Sequence, residues 1–288
     1  MPDGFRSAAA LLPPALRCAA EALPAPVRAA AEEFRLRLGR PPGVLLQAGE
    51  RPLAAAPVTP EELAAVLETA TRSSYHAVTD ELRRGFLTAP GGVRVGVCGT
   101  AVVDGTIRTL RALSSLALRI PRQVRSAGAD AIRAVGERSV LVCAPPGGGK
   151  TTFLRELVRT ASDAGRRVSL CDERGEIAAC FEGTPQFDVG RCTDVLTGAP
   201  KAEGALLLLR AMNPEIVAVD EISAPEDARA IGVLVGCGVR IFATVHAATR
   251  AELEEHPACR ALLAAGAFQR IVRISGGGAA RRYEVEEA

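Results

Sequence analysis

Apolar residues in the second half of the chain form short uninterrupted runs, each followed by polar residues. Stretches of helical periodicity separate the runs, and this alternation is typical of βαβ units whose strands are buried on both faces of a parallel sheet. The runs span residues 140–144, 168–171, 216–219 and 241–245. Because ligands bind beyond the carboxyl ends of the strands in such sheets, we expect the polar residues that follow the runs to lie close together.

Two further apolar runs, 271–274 and 283–285, flank a glycine-rich turn at 276–278. This spacing predicts a hairpin at the edge of the sheet. The sequence therefore predicts an α/β domain with a mainly parallel sheet over residues 126–288.

The first 125 residues have a mixed pattern, which predicts a smaller α+β domain over residues 1–125. Thr59 and Glu62 form a capping box with Pro60 at the first helical position, and a helix is expected to run through about Thr71. The segment 105–129 holds five arginines and no acidic residue, and it is the predicted domain boundary. The predicted strands of this domain are 34–38, 44–47, 93–98 and 116–120.

Composition limits the function classes. The 288 residues include 3% aromatics and no tryptophan, and the net charge is +2, so we expect no nucleic-acid partner. No stretch approaches the ~20 apolar residues that span a bilayer. The eight cysteines include no C-x-x-C pair, which favours free thiols and a cytoplasmic location.

Lysine is almost absent from the chain. Of 35 basic residues only Lys150 and Lys201 are lysine, and the others are arginine. A lysine ammonium is a compact point charge, whereas an arginine guanidinium is a planar fork, so the two retained lysines are candidates for specific roles. For Lys201, contact with a neighbouring subunit's nucleotide, pairing near Glu203 and chance retention all stay open.

A glycine-rich loop follows the first apolar run and precedes a helix. Such a loop lets backbone N–H groups surround phosphate oxygens, and the helix N-terminus adds its dipole. Lys150 is expected to contact the β- and γ-phosphates of a nucleotide, and Thr151 to bind Mg²⁺. The predicted phosphate-binding residues are Pro146, Gly147, Gly148, Gly149, Lys150, Thr151 and Thr152. The G-x-x-x-x-G-K-[ST] pattern fails only at its first position, where Ala144 replaces glycine.

Acidic residues follow two of the other runs. Asp220 at the end of 216–219 is expected to hold Mg²⁺, and Glu221 beside it to polarise the attacking water. Glu173, which follows 168–171, could share or take over that role. Asp172 and Arg174 could instead form a structural pair.

His246 ends another predicted strand, close to Thr244. A polar side chain at this position could sense the γ-phosphate and couple its loss to movement. The alternative is a structural histidine whose hydrogen bonds are already satisfied.

Together these motifs resemble the stage III sporulation protein AA family, relatives of the type II and type IV secretion ATPases. Besides the Lys150 loop, the blocks that carry the resemblance are 34–41, 93–99, 114–120, 172–177, 185–190, 193–196, 200–204 and 219–222. The sequence departs from the family pattern at three positions. Ala144 replaces glycine, Cys192 stands where arginine is expected, and Ala199 replaces cysteine; adjacent Arg191 could substitute at the second of these.

The resemblance implies a RecA-like P-loop ATPase that uses ATP and Mg²⁺ and assembles as a ring, a hexamer. It implies a location at the cytoplasmic face of a membrane-embedded sporulation channel between mother cell and forespore, with Arg94 or Arg119 reaching the phosphates. Other arginines of 105–129 could act in trans or form a solvated basic linker. A nucleic-acid-dependent ATPase is the alternative function, and a nucleotide-binding scaffold that does not hydrolyse ATP is a third.

Overall fold

The computed structural model describes residues 3–72, 83 and 85–288. It divides into two compact units. The first comprises Met1–Arg122 with Ala179–Phe187, and the second comprises Gln123–Ala178 with Asp188–Ala288. Residues 179–187 thus pack with the first unit, whereas the sequence placed them in the second domain. No helix of the described chain is long and apolar enough to cross a membrane.

The first unit contains helices and an antiparallel sheet. Its helices are α1 (Gly4–Ala9), α2 (Pro14–Glu21), α3 (Ala25–Ala30) and α4 (Pro60–Thr71). Its strands are β1 (Glu33–Arg37), β2 (Gly43–Leu46), β3 (Gly49–Pro52), β4 (Phe86–Ala89), β5 (Val93–Asp104) and β6 (Thr106–Arg119). In the described residues the strand order is β3-β2-β1-β6-β5-β4.

Alternation of apolar and polar residues gives this sheet one buried face. Phe34 in β1, Leu118 in β6 and Val95 in β5 are fully buried, and Phe5 of α1 packs edge-on against Phe34 with ring centroids 5.3 Å apart. Helix α4 begins with the predicted capping box, in which the Thr59 hydroxyl accepts from the Glu62 N–H and the Glu62 carboxylate accepts from the Thr59 N–H. The predicted α+β character is therefore confirmed.

Strands β5 and β6 are longer than the other strands of this sheet, and over residues 100–111 their pairing partners among the described residues are each other. Residues 106–119 of the predicted boundary segment 105–129 form β6, and the division between the two units follows Arg122, inside that segment. The outer half of β6 escaped prediction because it lies outside the core and its side chains are largely exposed.

The second unit is an α/β unit. Its strands are β7 (Val140–Ala144), β8 (Val168–Asp172), β9 (Thr193–Thr197), β10 (Ile216–Val219), β11 (Arg240–His246), β12 (Arg270–Ser275) and β13 (Arg282–Glu287). Its helices are α5 (Ala129–Val135), α6 (Lys150–Asp163), α7 (Lys201–Met212), α8 (Pro225–Gly236), α9 (Arg250–Glu255) and α10 (Pro257–Ala264).

The sheet of the second unit has the order β13-β12-β7-β11-β10-β8-β9 among the described residues. All neighbouring strands are parallel except β12 and β13, which form the predicted antiparallel hairpin at the edge. The mainly parallel sheet is thus confirmed. Every residue of β7, β8 and β10 is buried, as expected for strands covered on both faces.

Helices cover the parallel sheet and fix its carboxyl edge. Side chains of α7, α8, α9 and α10 form one core cluster with alternate strand residues such as Leu141, Val217 and Ala243. Helix α6 contacts β7, β8 and β11 on the opposite face. The eight cysteines are free, and Cys143, Cys171 and Cys259 are buried in this unit.

Candidate functional site

The glycine-rich loop connects β7 to α6 and its backbone requires glycine. Gly147 and Gly149 have φ of +72° and +98°, a region that L side chains rarely adopt. At Gly148 the obstacle is steric, because an added Cβ would lie 2.7 Å from Ala144 Cβ and 2.9 Å from the Pro145 carbonyl oxygen. The loop therefore exposes its backbone to a ligand, with no side chains between Pro146 and Lys150.

Ala144, the one departure from the loop pattern, is the last residue of β7 and pairs with His246 of β11. Its φ is not positive, and its side chain is fully buried. Alanine is therefore accommodated without backbone strain. The methyl group also restricts position 148 to glycine.

Lys150, the first residue of α6, turns its side chain back under the loop. Its ammonium donates to the carbonyl oxygens of Ala144 at 2.9 Å and Pro145 at 3.2 Å, and contacts His246 Nδ1 at 2.7 Å. The residue is only 7% exposed. Burial lowers the pKa of Lys150, and the nearby carboxylates of Glu221 and Asp220 oppose that shift. Thr151 and Thr152 follow in the first turn of the helix and are half-buried.

The carboxylate of Asp220 lies directly after β10 and receives a hydrogen bond from β11. Thr244 Oγ1 donates to Asp220 Oδ1 at 3.1 Å, and the Ile222 N–H donates to the Thr244 carbonyl at 2.7 Å. Burial raises the pKa of Asp220, since an ionised carboxylate loses its hydration there. The polar residues at these strand ends do converge, as predicted.

His246 bridges Lys150 and the second carboxylate. Its Nε2 lies 3.2 Å from Glu221 Oε2. Because a lysine ammonium can only donate, Nδ1 accepts from Lys150 and Nε2 carries the proton that faces Glu221. Arg174 approaches the same carboxylate, with its Nη1 3.6 Å from Glu221 Oε2.

Asp172 serves a different purpose from its neighbours. It is fully buried at the end of β8, and its two carboxylate oxygens accept the N–H groups of Glu176, Ile177 and Ala178 at 2.8–3.0 Å. Burial raises the pKa of Asp172. The hypothesis of a pair between Asp172 and Arg174 is therefore wrong: Asp172 organises the loop that follows β8, and Arg174 turns to Glu221.

The second lysine also belongs to this edge of the sheet. Lys201 Nζ lies 3.0 Å from Glu173 Oε2 and 3.9 Å from Asp227 Oδ2, and its side chain is 11% exposed. Of the three alternatives for Lys201, pairing near Glu203 is wrong, because the ion-pair partners are Glu173 and Asp227. Glu173 is thereby held by a half-buried cation, a contact that sequence spacing alone did not reveal.

Arg94 and Arg119 lie in the first unit. They are partners in the register of β5 and β6, and the Arg94 guanidinium lies 3.6 Å from the ring centroid of Phe86. Both line a cavity of about 250 Å³ on the polar face of the sheet. The other lining residues are Glu33, Arg35, Gly85, Phe86, Gly96 and Ala117.

The described residues contain no group of three or more His, Cys, Asp or Glu side chains that could hold a metal ion by themselves. A hydroxyl and one carboxylate, as at Thr151 and Asp220, match instead the way proteins hold Mg²⁺ together with phosphate oxygens. Arg281 also lies near the loop, beside Gly149, and was not predicted there. It is more than 100 positions away in the sequence, in the turn between β12 and β13.

Two solved structures resemble most of this chain. The pilus retraction motor PilT, solved with bound ADP, matches with a TM-score of 0.66 and 18% identity over 94% of this chain and 82% of that one. The Legionella pneumophila ATPase DotB matches with a TM-score of 0.55 and 16% identity over 88% of this chain and 75% of that one. These likenesses confirm the RecA-like fold.

Sequence comparison identifies the family. Stage III sporulation protein AA of Bacillus subtilis is 32% identical over an alignment of 252 residues, and the match covers 84% of this chain and 82% of that protein. The family model described as "Sporulation stage III, protein AA" matches residues 22–282. The chain therefore belongs to the stage III sporulation protein AA family.

Proposed function

We propose that this protein binds ATP with Mg²⁺, hydrolyses it, and uses the energy to drive a secretion-like complex during endospore formation. The observation that carries the proposal is the cluster at the carboxyl edge of the parallel sheet. There Lys150 lies under a glycine-rich loop and contacts His246, which in turn contacts Glu221. The family membership and the likeness to PilT and DotB support the same activity.

Phosphate binding follows from the loop. The N–H groups at the start of α6 point at the space beside the loop, and the dipole of this 14-residue helix favours an anion there. The Lys150 ammonium, now bonded to two loop carbonyls, adds a mobile positive charge that can turn to the β- and γ-phosphates. Gly147, Gly148 and Gly149 allow the phosphates to approach the backbone.

The residues present fit Mg²⁺. Thr151 would supply a hydroxyl and Asp220 a carboxylate, and Thr244 keeps that carboxylate oriented. When bound, Mg²⁺ would neutralise charge that develops on the phosphate oxygens.

Water activation is assigned to Glu221. Its carboxylate is 23% exposed beside buried Asp220 and is oriented by the Nε2–H of His246. Glu173 is the second carboxylate near the site, and the ion pair with Lys201 orients it. Glu221 is therefore assigned the proton of the attacking water, and Glu173 is the carboxylate that would share or take over this role.

We assign His246 the role of a nucleotide sensor. If Lys150 turns towards a γ-phosphate, the hydrogen bond between its ammonium and His246 Nδ1 is lost. The imidazole could then move together with the Glu221 carboxylate. Release of phosphate would restore the bond. This coupling would convert turnover into a movement at the end of β11.

Arg94 and Arg119 would contribute positive charge to the phosphates when the protein assembles as a hexameric ring, since a guanidinium suits a transferring phosphoryl group. The ring would bind the cytoplasmic side of a membrane complex. Light scattering during size exclusion, with and without a nonhydrolysable ATP analogue, tests the assembly. A monomer under both conditions would refute the ring.

The central test is phosphate release from MgATP by the full chain. Lys150→Met and Glu221→Gln should each lower kcat by at least about 100-fold, the range typical of acid-base and electrostatic groups. Arg210→Gln, which removes an exposed charge from α7, is the matched control and should leave kcat unchanged. Because Lys150 is buried, the melting temperature of each variant must be measured alongside.

Wild-type turnover no faster than that of Lys150→Met would refute ATP hydrolysis at this site. Loss of activity in Glu173→Gln with full activity in Glu221→Gln would reverse the assignment of the two carboxylates. Stimulation by single-stranded DNA with a steep salt dependence would favour the nucleic-acid-dependent alternative.

A further inference from the structure

The turn between β12 and β13 lies at the same edge of the sheet as the phosphate loop. Strand β12 runs parallel to β7, with Arg273 opposite Cys143, so Ser275 extends past the end of β7. The chain then turns and β13 returns antiparallel from Arg282, the partner of Ser275. The topology of the sheet therefore places Arg281 next to the loop.

Arg281 contacts the loop itself. A methyl group built on Gly149 would lie 2.8 Å from Arg281 Cζ, 3.0 Å from Nε and 3.0 Å from Nη1. The guanidinium is therefore stacked over the residue that caps α6 at its N-terminus. A side chain at position 149 would displace it.

The hairpin that carries Arg281 is firmly anchored. The ring of Tyr283 in β13 stacks on Phe153 of α6, with centroids 5.3 Å apart and an interplanar angle of 28°. Gly128 is packed against both rings, since an added Cβ would approach Phe153 to 2.6 Å and Tyr283 to 3.0 Å. The backbone of Arg281 is thus held in a fixed position relative to the first turn of α6.

Within the part of the chain that the structure describes, Arg281 has no counter-charge, in contrast to two other arginines of this hairpin. Arg270 and Arg273 of the same hairpin pair with Glu287 and Glu284. Arg281 forms no ion pair with any residue of the described chain, and its Nε is buried without a hydrogen-bond acceptor. A buried N–H without an acceptor is costly, and a cation at a helix N-terminus is repelled by the dipole.

We propose that Arg281 is a phosphate-binding residue, whose guanidinium donates hydrogen bonds to the phosphate chain of the nucleotide in the Lys150 loop. An anion there would satisfy the buried Nε and neutralise a cation that no described residue compensates. The planar fork suits phosphate oxygens, which explains an arginine at this position. This proposal rests on the proposed nucleotide site and adds a residue from the far end of the chain.

The test compares Arg281→Gln with Arg282→Gln, which removes the same charge from the next residue, an exposed one. Binding of MgATP and of inorganic tripolyphosphate is measured by calorimetry with the full chain. We expect Arg281→Gln to weaken both ligands at least about ten-fold, the range of a charge-assisted hydrogen bond, and Arg282→Gln to change neither beyond two-fold. Arg281→Lys should recover part of the affinity.

Melting without ligand separates binding from a structural role. If Arg281 serves phosphate, Arg281→Gln should melt no lower than Arg282→Gln without ligand, because an uncompensated cation is removed, and its ligand-induced rise in Tm should be smaller. A lower Tm without ligand and unchanged affinity would overturn the proposal. Weaker ATP binding with unchanged tripolyphosphate binding would also overturn it, because Arg281 would then contact the nucleoside and not the phosphates.

Failure of the nucleotide site itself gives a different result. In that case the wild type would bind neither ligand, or would bind both as tightly as Lys150→Met does. Binding that depends on Lys150 but not on Arg281 would leave the proposed function intact and refute only the role of Arg281.

Discussion

A methyl group at position 148 should disrupt the phosphate loop by a mechanism that can be isolated. The added Cβ of Gly148→Ala would lie 2.7 Å from Ala144 Cβ and 2.9 Å from the Pro145 carbonyl oxygen. Ordinary contacts between such atoms begin near 3.4 Å. The loop must therefore move by several tenths of an ångström away from the end of β7, and the backbone N–H groups move with it.

The expected cost follows from the two contacts. Overpacking a well-packed site costs about 1–3 kcal/mol, and the backbone of Gly148 adds no strain because its φ is not positive. Gly147→Ala is the matched control: its Cβ would meet nothing within 4 Å, but its φ is +72°. That variant should lose about 1–2 kcal/mol from backbone strain alone.

A double-mutant cycle tests the steric origin. Ala144→Gly removes one of the two contacting atoms, so Gly148→Ala should be less damaging in the Ala144→Gly background, by about 1 kcal/mol. Recovery should be partial, because the Pro145 carbonyl remains. Urea unfolding gives the free energies, and calorimetry with MgATP reports on the loop. Additive effects of the two substitutions would refute the reasoning.

Three further substitutions probe the neighbouring contacts. Lys201→Met should lower kcat at least about ten-fold with little change in KM, measured by phosphate release, since Glu173 loses its orienting cation; an unchanged kcat would contradict this. Asp220→Asn should raise the free energy of unfolding at pH 7, because burial raises the pKa of that carboxyl in the folded state and its ionisation opposes folding. This gain should shrink as the pH falls towards 3.8, the ordinary pKa of the carboxyl, and should be absent below it, where the wild-type carboxyl is protonated in both states; urea unfolding across pH checks it. Arg155→Met should lower the free energy of unfolding by about 2–4 kcal/mol in the same assay, because the carbonyls of Ile177 and Glu176 lose their buried donor; a change below 1 kcal/mol would count against it.

The central strands of the second unit could be predicted because strands buried on both faces have apolar residues at consecutive positions. Strands β7, β8 and β10 are buried on both faces, so each is an uninterrupted apolar run that ends at a polar residue. Strand β9 was not predicted. It lies at the sheet edge with no residue fully buried, so its pattern resembles that of a loop.

Which residues meet at the strand ends was predictable, but how they pair was not. Parallel topology brings Lys150, Asp220 and His246 to one edge, whatever their side chains do. The choice of Glu221 rather than Asp172 as the partner of Arg174 depends on three backbone N–H groups that already occupy Asp172. Such competition between backbone and side-chain donors has no sequence signature.

The two lysines of the chain connect composition to the site. Where either basic residue would serve, this chain uses arginine, and both exceptions lie at the carboxyl edge of the parallel sheet in confined surroundings. Lys150 places one nitrogen among two carbonyls and an imidazole, and Lys201 places one nitrogen between two carboxylates. A guanidinium directs its donors in one plane from a larger head group, so it could not make either set of contacts from the same backbone position. At Arg281 the surroundings are reversed, since the side chain stacks on a glycine and its Nε meets no acceptor among the residues that the structure describes. The choice between ammonium and guanidinium around the loop therefore follows the shape of the space that each must fill.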